Sequence, residues 1–165
     1  MADAQSLDVN VINPFITAMV NVFQTMMQME IKRTSLTLKK NDKMFGDITA
    51  IIGLAGSGSG SVMISFPMDL AKQIVSKMLG CEASVLSKLD VKDGIGEIVN
   101  MVAGSAKASF GETKYKFNIS LPMVVEGEAQ SVEICHKKGV PCIEVGFQTS
   151  DESRFVLEVS LKSNV

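Results

Sequence analysis

The run Asp93-Gly94-Ile95-Gly96-Glu97-Ile98-Val99-Asn100-Met101-Val102-Ala103-Gly104-Ser105-Ala106-Lys107 divides into two faces at helical period. Val91, Ile95, Ile98, Val99, Val102, Ala106 and Phe110 fall on one side, the stripe of a helix that covers a core. Asp93, Glu97, Asn100, Gly104 and Lys107 follow one another on the other side. Exposed acids and amides are ordinary on a solvated helix face. Interior glycine is not, because it costs about 1 kcal/mol relative to alanine. Gly94 and Gly104 lie one turn beyond the Glu97/Asn100 pair, so something must come close to this face. Another backbone, or a partner whose own site reaches Glu97 and Asn100, would meet that need.

Upstream, Ile16, Met19, Val20, Phe23, Met26 and Met27 recur at helical spacing, which predicts a helix over about 8–29. Either Asp8 caps it and Pro14 kinks it, or Asn13 is the cap and Pro14 the first helical residue; the longer helix is favoured. Its methionines read as core filler. Strands are predicted over 31–38, 47–54 and 61–66. The Gly/Ser segment 55–60 joins the last two as a hairpin loop. It is no phosphate loop, since it lacks Lys-Ser/Thr and precedes a strand. Pro67 opens a second helix with Leu70, Ile74, Val75, Met78 and Leu79 on one face, and Gly80 ends it. A linker over 81–89 leads to the helix quoted above, with Asp90 as its N-cap.

Beyond it, 114–121 alternates with Tyr115, Phe117 and Ile119 on one face, and Pro122 ends that strand. Segments 132–136 and 140–147 are expected to form a hairpin, with Pro141 placing its strand at an edge or delaying its start. In 154–161, Phe155, Leu157, Val159 and Leu161 point inward, and Val156, Glu158 and Ser160 outward. The order helix, three strands, two helices, strands predicts an α+β fold with helices on one face of a mostly antiparallel sheet. At 165 residues this is one domain, 1–165, with no internal repeat.

Composition narrows the function. Hydrophobic residues are 46% and charged ones 21%, as in a globular chain. Net charge is -2 and no basic cluster exceeds Lys39-Lys40 or Lys137-Lys138, which argues against nucleic acid. No apolar run approaches a membrane span, and the N-terminal residues carry no signal segment, which points to the cytoplasm. Cys81, Cys135 and Cys142 form no CxxC, and in a reducing cytosol they read as small apolar side chains rather than a disulfide. His136, the one histidine, has no evident acid partner, and no nucleophile elbow or acid cage is present. Glu97 and Asn100 alone cannot bind a substrate and activate water. They suffice if a partner supplies the electrophile and most of the site.

Asp93, three residues, Glu97, two residues, Asn100, twenty-one residues and Pro122 together resemble the signature of the CheC/CheX family of chemotaxis phosphatases. The predicted element order is similar to that family's fold over essentially the whole chain. The resemblance implies that the substrate is a phosphorylated CheY-type response regulator, which holds its own phospho-aspartate, Mg²⁺ and a lysine. This chain would bind no cofactor itself. Asn100 would hold the attacking water in line, and Glu97 would face the regulator's lysine. Asp93 and Pro122 would support the site; Gly94, Gly104 and Lys107 would complete the docking face. The resemblance also implies a homodimer, for which the β-rich C-terminal third offers edge strands. Related domains in flagellar switch proteins are binding modules, and the alternative is a non-catalytic module of that kind.

Overall fold

The computed structural model describes residues 9–135 and 138–165. Along the chain come α1 (Val9–Val22), a π-helical turn (Phe23–Met27), β1 (Ile31–Leu38), β2 (Ile48–Gly56) and β3 (Gly58–Phe66). Then follow α2 (Met68–Leu79), a 3₁₀ turn (Ala83–Val85), α3 (Lys88–Phe110), β4 (Phe117–Ile119), β5 (Met123–Glu126), β6 (Cys142–Thr149) and β7 (Arg154–Ser163). This is the predicted α+β order. The strands form one antiparallel sheet in the order β1-β6-β7-β3-β2-β4, with β5 pairing farther along β2.

The pleat decides which face the helices cover. Ile48, Ala50, Ile52 and Leu54 of β2 share a face with Val62 and Ile64 of β3 and Leu157 and Val159 of β7. All are buried with the inner stripes of α1, α2 and α3. The predicted core stripe of α3, from Val91 to Phe110, is buried at every position. Two devices hold α3 in place. At its start, Ser87 Oγ accepts from the Asp90 N–H at 3.0 Å, while the Ser87 N–H donates to Asp90 Oδ2 at 2.8 Å. At its end, Phe110 packs among Phe15 and Phe117, with ring centroids 5.7 and 5.4 Å away.

Several boundaries differ from the sequence expectations, each for a local reason. Ser87, not Asp90, is the N-cap of α3; Asp90 stands three residues on and closes the capping box. The Ser87 backbone N–H and hydroxyl hold the Asp90 carboxyl below the usual range. Pro67 occupies the cap position of α2 in extended conformation, and Asp47 reaches across to accept from the Met68 N–H at 2.8 Å. Leu79 lies at the exposed end of α2. Pro14 stands inside α1, as expected of the longer helix; the Asp8 cap lies outside the described residues. The π-helical turn carries Phe23 and Met27 into the core and leaves Met26 exposed, as is Val20.

The strand expected over 114–121 is reduced to β4, because 111–115 turns tightly after α3. Pro122 does not end the sheet edge; pairing resumes at once in β5, so the break at 120–122 is an interruption. The hairpin expected between 132–136 and 140–147 does not form. Val132, Glu133 and Ile134 instead bond to the 42–44 segment, and His136 lies outside the described residues. Pro141 does delay its strand, which begins at Cys142. The three cysteines are free, Cys135 exposed and Cys142 buried. Burial pushes the Cys142 thiol up to about 12, which keeps it protonated and inert near neutral pH.

Val156, Glu158 and Ser160, expected to face water, are buried. The connection from β1 to β2 crosses the sheet's far face above them. Lys39 Nζ reaches Glu158 at 2.5 Å and Glu144 at 3.4 Å, and the Gly46 N–H donates to Ser65 Oγ on β3. Burial works to lower the Lys39 pKa, but the two carboxylates outweigh it and hold the ammonium above its ordinary value.

Candidate functional site

A helix that buries one stripe must present the other, and α3 presents the residues named from the sequence. Asp93, Glu97 and Gly104 are exposed, and Asn100 and Lys107 are half-buried. Among the described residues, no ion pair or side-chain hydrogen bond occupies Asp93, Glu97 or Asn100. A carboxylate and an amide one turn apart thus stand free to meet a partner.

The half-burial of Asn100 has a source. Lys92, Gly96, Asn100, Ala103 and Lys107 form a stripe, and β4–β5 run antiparallel beside it. Lys92 Nζ reaches Glu126 at 3.3 Å near one end, and Lys107 Nζ donates to Asn118 Oδ1 at 3.0 Å near the other. Between them, a Cβ built on Gly96 would lie 3.4 Å from Val124 Cγ2 and 3.8 Å from the Pro122 ring. Gly96 therefore lets the edge strand pack close to the helix and seats Pro122 on α3 at the position preceding Glu97. Pro122, distant in sequence, is thereby brought against the helix that carries Asp93, Glu97 and Asn100.

The helical pattern does not single out Gly96. The Gly-x-Gly spacing of Gly94 and Gly96 is the available signal, but it does not say which glycine faces what. Gly94 is corrected by the structure. A Cβ there would fall 2.6 Å from Val75 Cγ2, so its bare Cα serves the contact between α3 and α2 and not a docking face. Gly94→Leu is expected to overpack that contact and destabilise the protein by about 1–3 kcal/mol, read as a lowered melting temperature. Gly104 has nothing within 4 Å of its would-be Cβ and remains open. Lys107 lies along the face, but Asn118 already engages its ammonium.

No group of three or more His, Cys, Asp or Glu side chains among the described residues could hold a metal ion. The free groups project from a helix surface. Such a face can place an amide and a carboxylate into a pocket belonging to another molecule.

The profile of the family described as "Chemotaxis phosphatase CheX" matches residues 48–148, a span that includes Asp93, Glu97, Asn100 and Pro122. The CheY-P phosphatase CheX of Thermotoga maritima is 25% identical over 158 residues, covering 95% of this chain and 99% of that protein. The crystal structure of chemotaxis protein CheX from Vibrio vulnificus superposes with a TM-score of 0.81 at 33% identity, over 92% of this chain and 99% of that one. A CheX from Borrelia burgdorferi, solved in complex with CheY, BeF3 and Mg²⁺, has the same fold, with a TM-score of 0.75 at 24% identity over 93% and 98% of the two chains. No helix among the described residues is long and apolar enough to cross a membrane.

Proposed function

The chain belongs to the CheX family of chemotaxis phosphatases, and from that membership we propose that it accelerates the dephosphorylation of a phosphorylated CheY-type response regulator. The observation that carries the reading is the free pair Glu97 and Asn100 on the exposed side of α3, with Pro122 seated on Gly96 beside it. The regulator supplies the phospho-aspartate, the lysine and Mg²⁺; this chain supplies position. Asn100 enters the regulator's pocket and hydrogen-bonds the attacking water, holding it in line with the phosphorus–oxygen bond to be broken. An uncharged amide suits this, because phosphoryl transfer is governed mainly by positioning and charge stabilisation. Glu97 pairs with the lysine and sets the docking register, an anion matched to an ammonium. Asp93 stands one turn before Glu97 on the same face and, as the sixth residue of α3, lies beyond the first turn where the helix dipole acts.

The whole chain acts as one domain in this proposal, and as a homodimer. The edges open to a second copy are β1 and β4–β5, since β6 and β7 of the C-terminal third lie inside the sheet.

The direct test is to mix the protein with phosphorylated CheY and follow the loss of phosphate. An acceleration of about a hundredfold corresponds to about 2.7 kcal/mol, within reach of one oriented water and one docking contact. Binding without any acceleration would reduce the protein to a docking module. The open surface at Gly104 adds a second test. Gly104→Leu is expected to leave the melting temperature unchanged or slightly raised, by up to about 1 kcal/mol of helix propensity, while blocking docking and phosphatase activity. A lowered melting temperature would show that Gly104 packs against this same chain.

A further inference from the structure

The break between β4 and β5 exposes a large apolar side chain beside the proposed docking face. Leu121 is 90% exposed, more than any other large hydrophobic residue within an ordered element or turn of this edge. Single exposed leucines are common and need no explanation. This one is held where it is by a built arrangement. Ser120 exchanges two hydrogen bonds with the Gly53 backbone: its N–H donates to the Gly53 carbonyl at 2.9 Å, and its Oγ accepts from the Gly53 N–H at 2.9 Å. The same hydroxyl donates to the Leu121 carbonyl at 2.9 Å. Pro122, next in the chain, is seated on Gly96. Leu121 is thus fixed on both sides and turned outward.

The contacts along α3 place it. Pro122 meets the helix at Gly96 and Asn118 meets it at Lys107. From Gly96 to Asn100 the helix advances about 6 Å, and an antiparallel strand covers that distance in about two residues. Counted from Pro122 towards Asn118, that brings Ser120 and Leu121 alongside Asn100. A specific protein interface buries about 800 Å² on each partner, a patch of about 16 Å radius if round. A partner that covers Asn100 therefore covers Leu121 as well. The free side chains on the helix face, Asp93, Glu97 and Asn100, are all polar. Interfaces of this size carry an apolar centre with a polar rim, and Leu121, with Pro122 and the exposed Met123 that follow it, offers apolar surface here.

We infer that Leu121, backed by Pro122, is an apolar docking contact for the response regulator, set beside Asn100 and fixing how deeply and in what register the regulator seats. The inference rests on the regulator being the partner, as proposed above. It assigns Leu121 to docking and not to the chemistry, so its loss raises KM and leaves kcat.

The test uses the full chain and a CheY-type response regulator of the same cell. Affinity is measured with the regulator activated by beryllofluoride and Mg²⁺, and KM and kcat with the phosphorylated regulator. Leu121→Asp and Leu121→Ser are both expected to raise Kd and KM tenfold or more, with kcat within about twofold of wild type and the melting temperature unchanged; tenfold corresponds to about 1.4 kcal/mol. Leu121→Met is expected to restore both constants. Unchanged Kd and KM in both variants, against a wild type that binds, would overturn the inference while leaving the proposed function standing. A rise with aspartate alone would overturn it too, because it would report charge repulsion. So would a change in oligomeric state by sedimentation with an unchanged Kd, which would assign Leu121 to a contact between copies. A wild type that neither binds nor dephosphorylates the regulator would remove the proposed function, and this inference with it.

Discussion

Asn100→Ala is expected to abolish the acceleration of CheY dephosphorylation while the regulator still binds. Asn100 makes no side-chain bond to any of the described residues and is half-buried on α3, so alanine leaves no buried partner among them unsatisfied and no core cavity. The melting temperature should move by no more than about 1 kcal/mol of stability allows. The full effect on rate, about a hundredfold, should appear in kcat, because the amide acts on the water and little on the encounter. The measurement is phosphate loss from CheY at saturating phosphatase, with thermal unfolding on the same preparation. A variant that keeps a near wild-type rate would take Asn100 out of the mechanism.

Glu97→Ala is expected to fail differently. Its carboxylate is exposed and has no partner among the described residues, so it is available to the regulator's lysine when the two proteins meet. The loss should appear chiefly as a raised dissociation constant for the activated regulator. A charge-assisted hydrogen bond to an ionised partner contributes about 1.5–3 kcal/mol, which is roughly a tenfold to hundredfold weakening. Titration against CheY held in its phosphorylated-mimic state reads this directly. An unchanged constant would rule out the docking role even if activity fell. Together, Asn100→Ala and Glu97→Ala separate chemistry from docking, and Leu121 should group with Glu97.

Much of the site is legible in the amino-acid sequence. The faces of α3 follow from the 3.6-residue period within one segment, and every residue of the predicted core stripe is buried. Spacing also brings Asp93, Glu97 and Asn100 onto one side. Periodicity does not report what lies across from a residue. Gly94 and Gly104 look equivalent on a helical projection, yet Val75 of α2 fills the space at one and nothing fills it at the other. Lys107 looks free, yet Asn118 of β4 holds it.

The sequence by itself determined the hairpin of β2 and β3, the helices of the core and the α+β order, because each depends on local period, turn chemistry and a stripe wide enough to bury. Only the tertiary structure decided which groups converge. Pro122 reaches α3 at Gly96, the residue before Glu97, because β5 pairs with β2 and the bare Cα of Gly96 lets the edge approach. Glu158 is buried because the chain from β1 to β2 must cross the sheet, carrying Lys39 over it. Leu121 is held outward on this edge because the strand breaks where Ser120 bonds to Gly53. These are contacts between segments far apart in the chain. They are set by sheet order and register, which local periodicity does not encode.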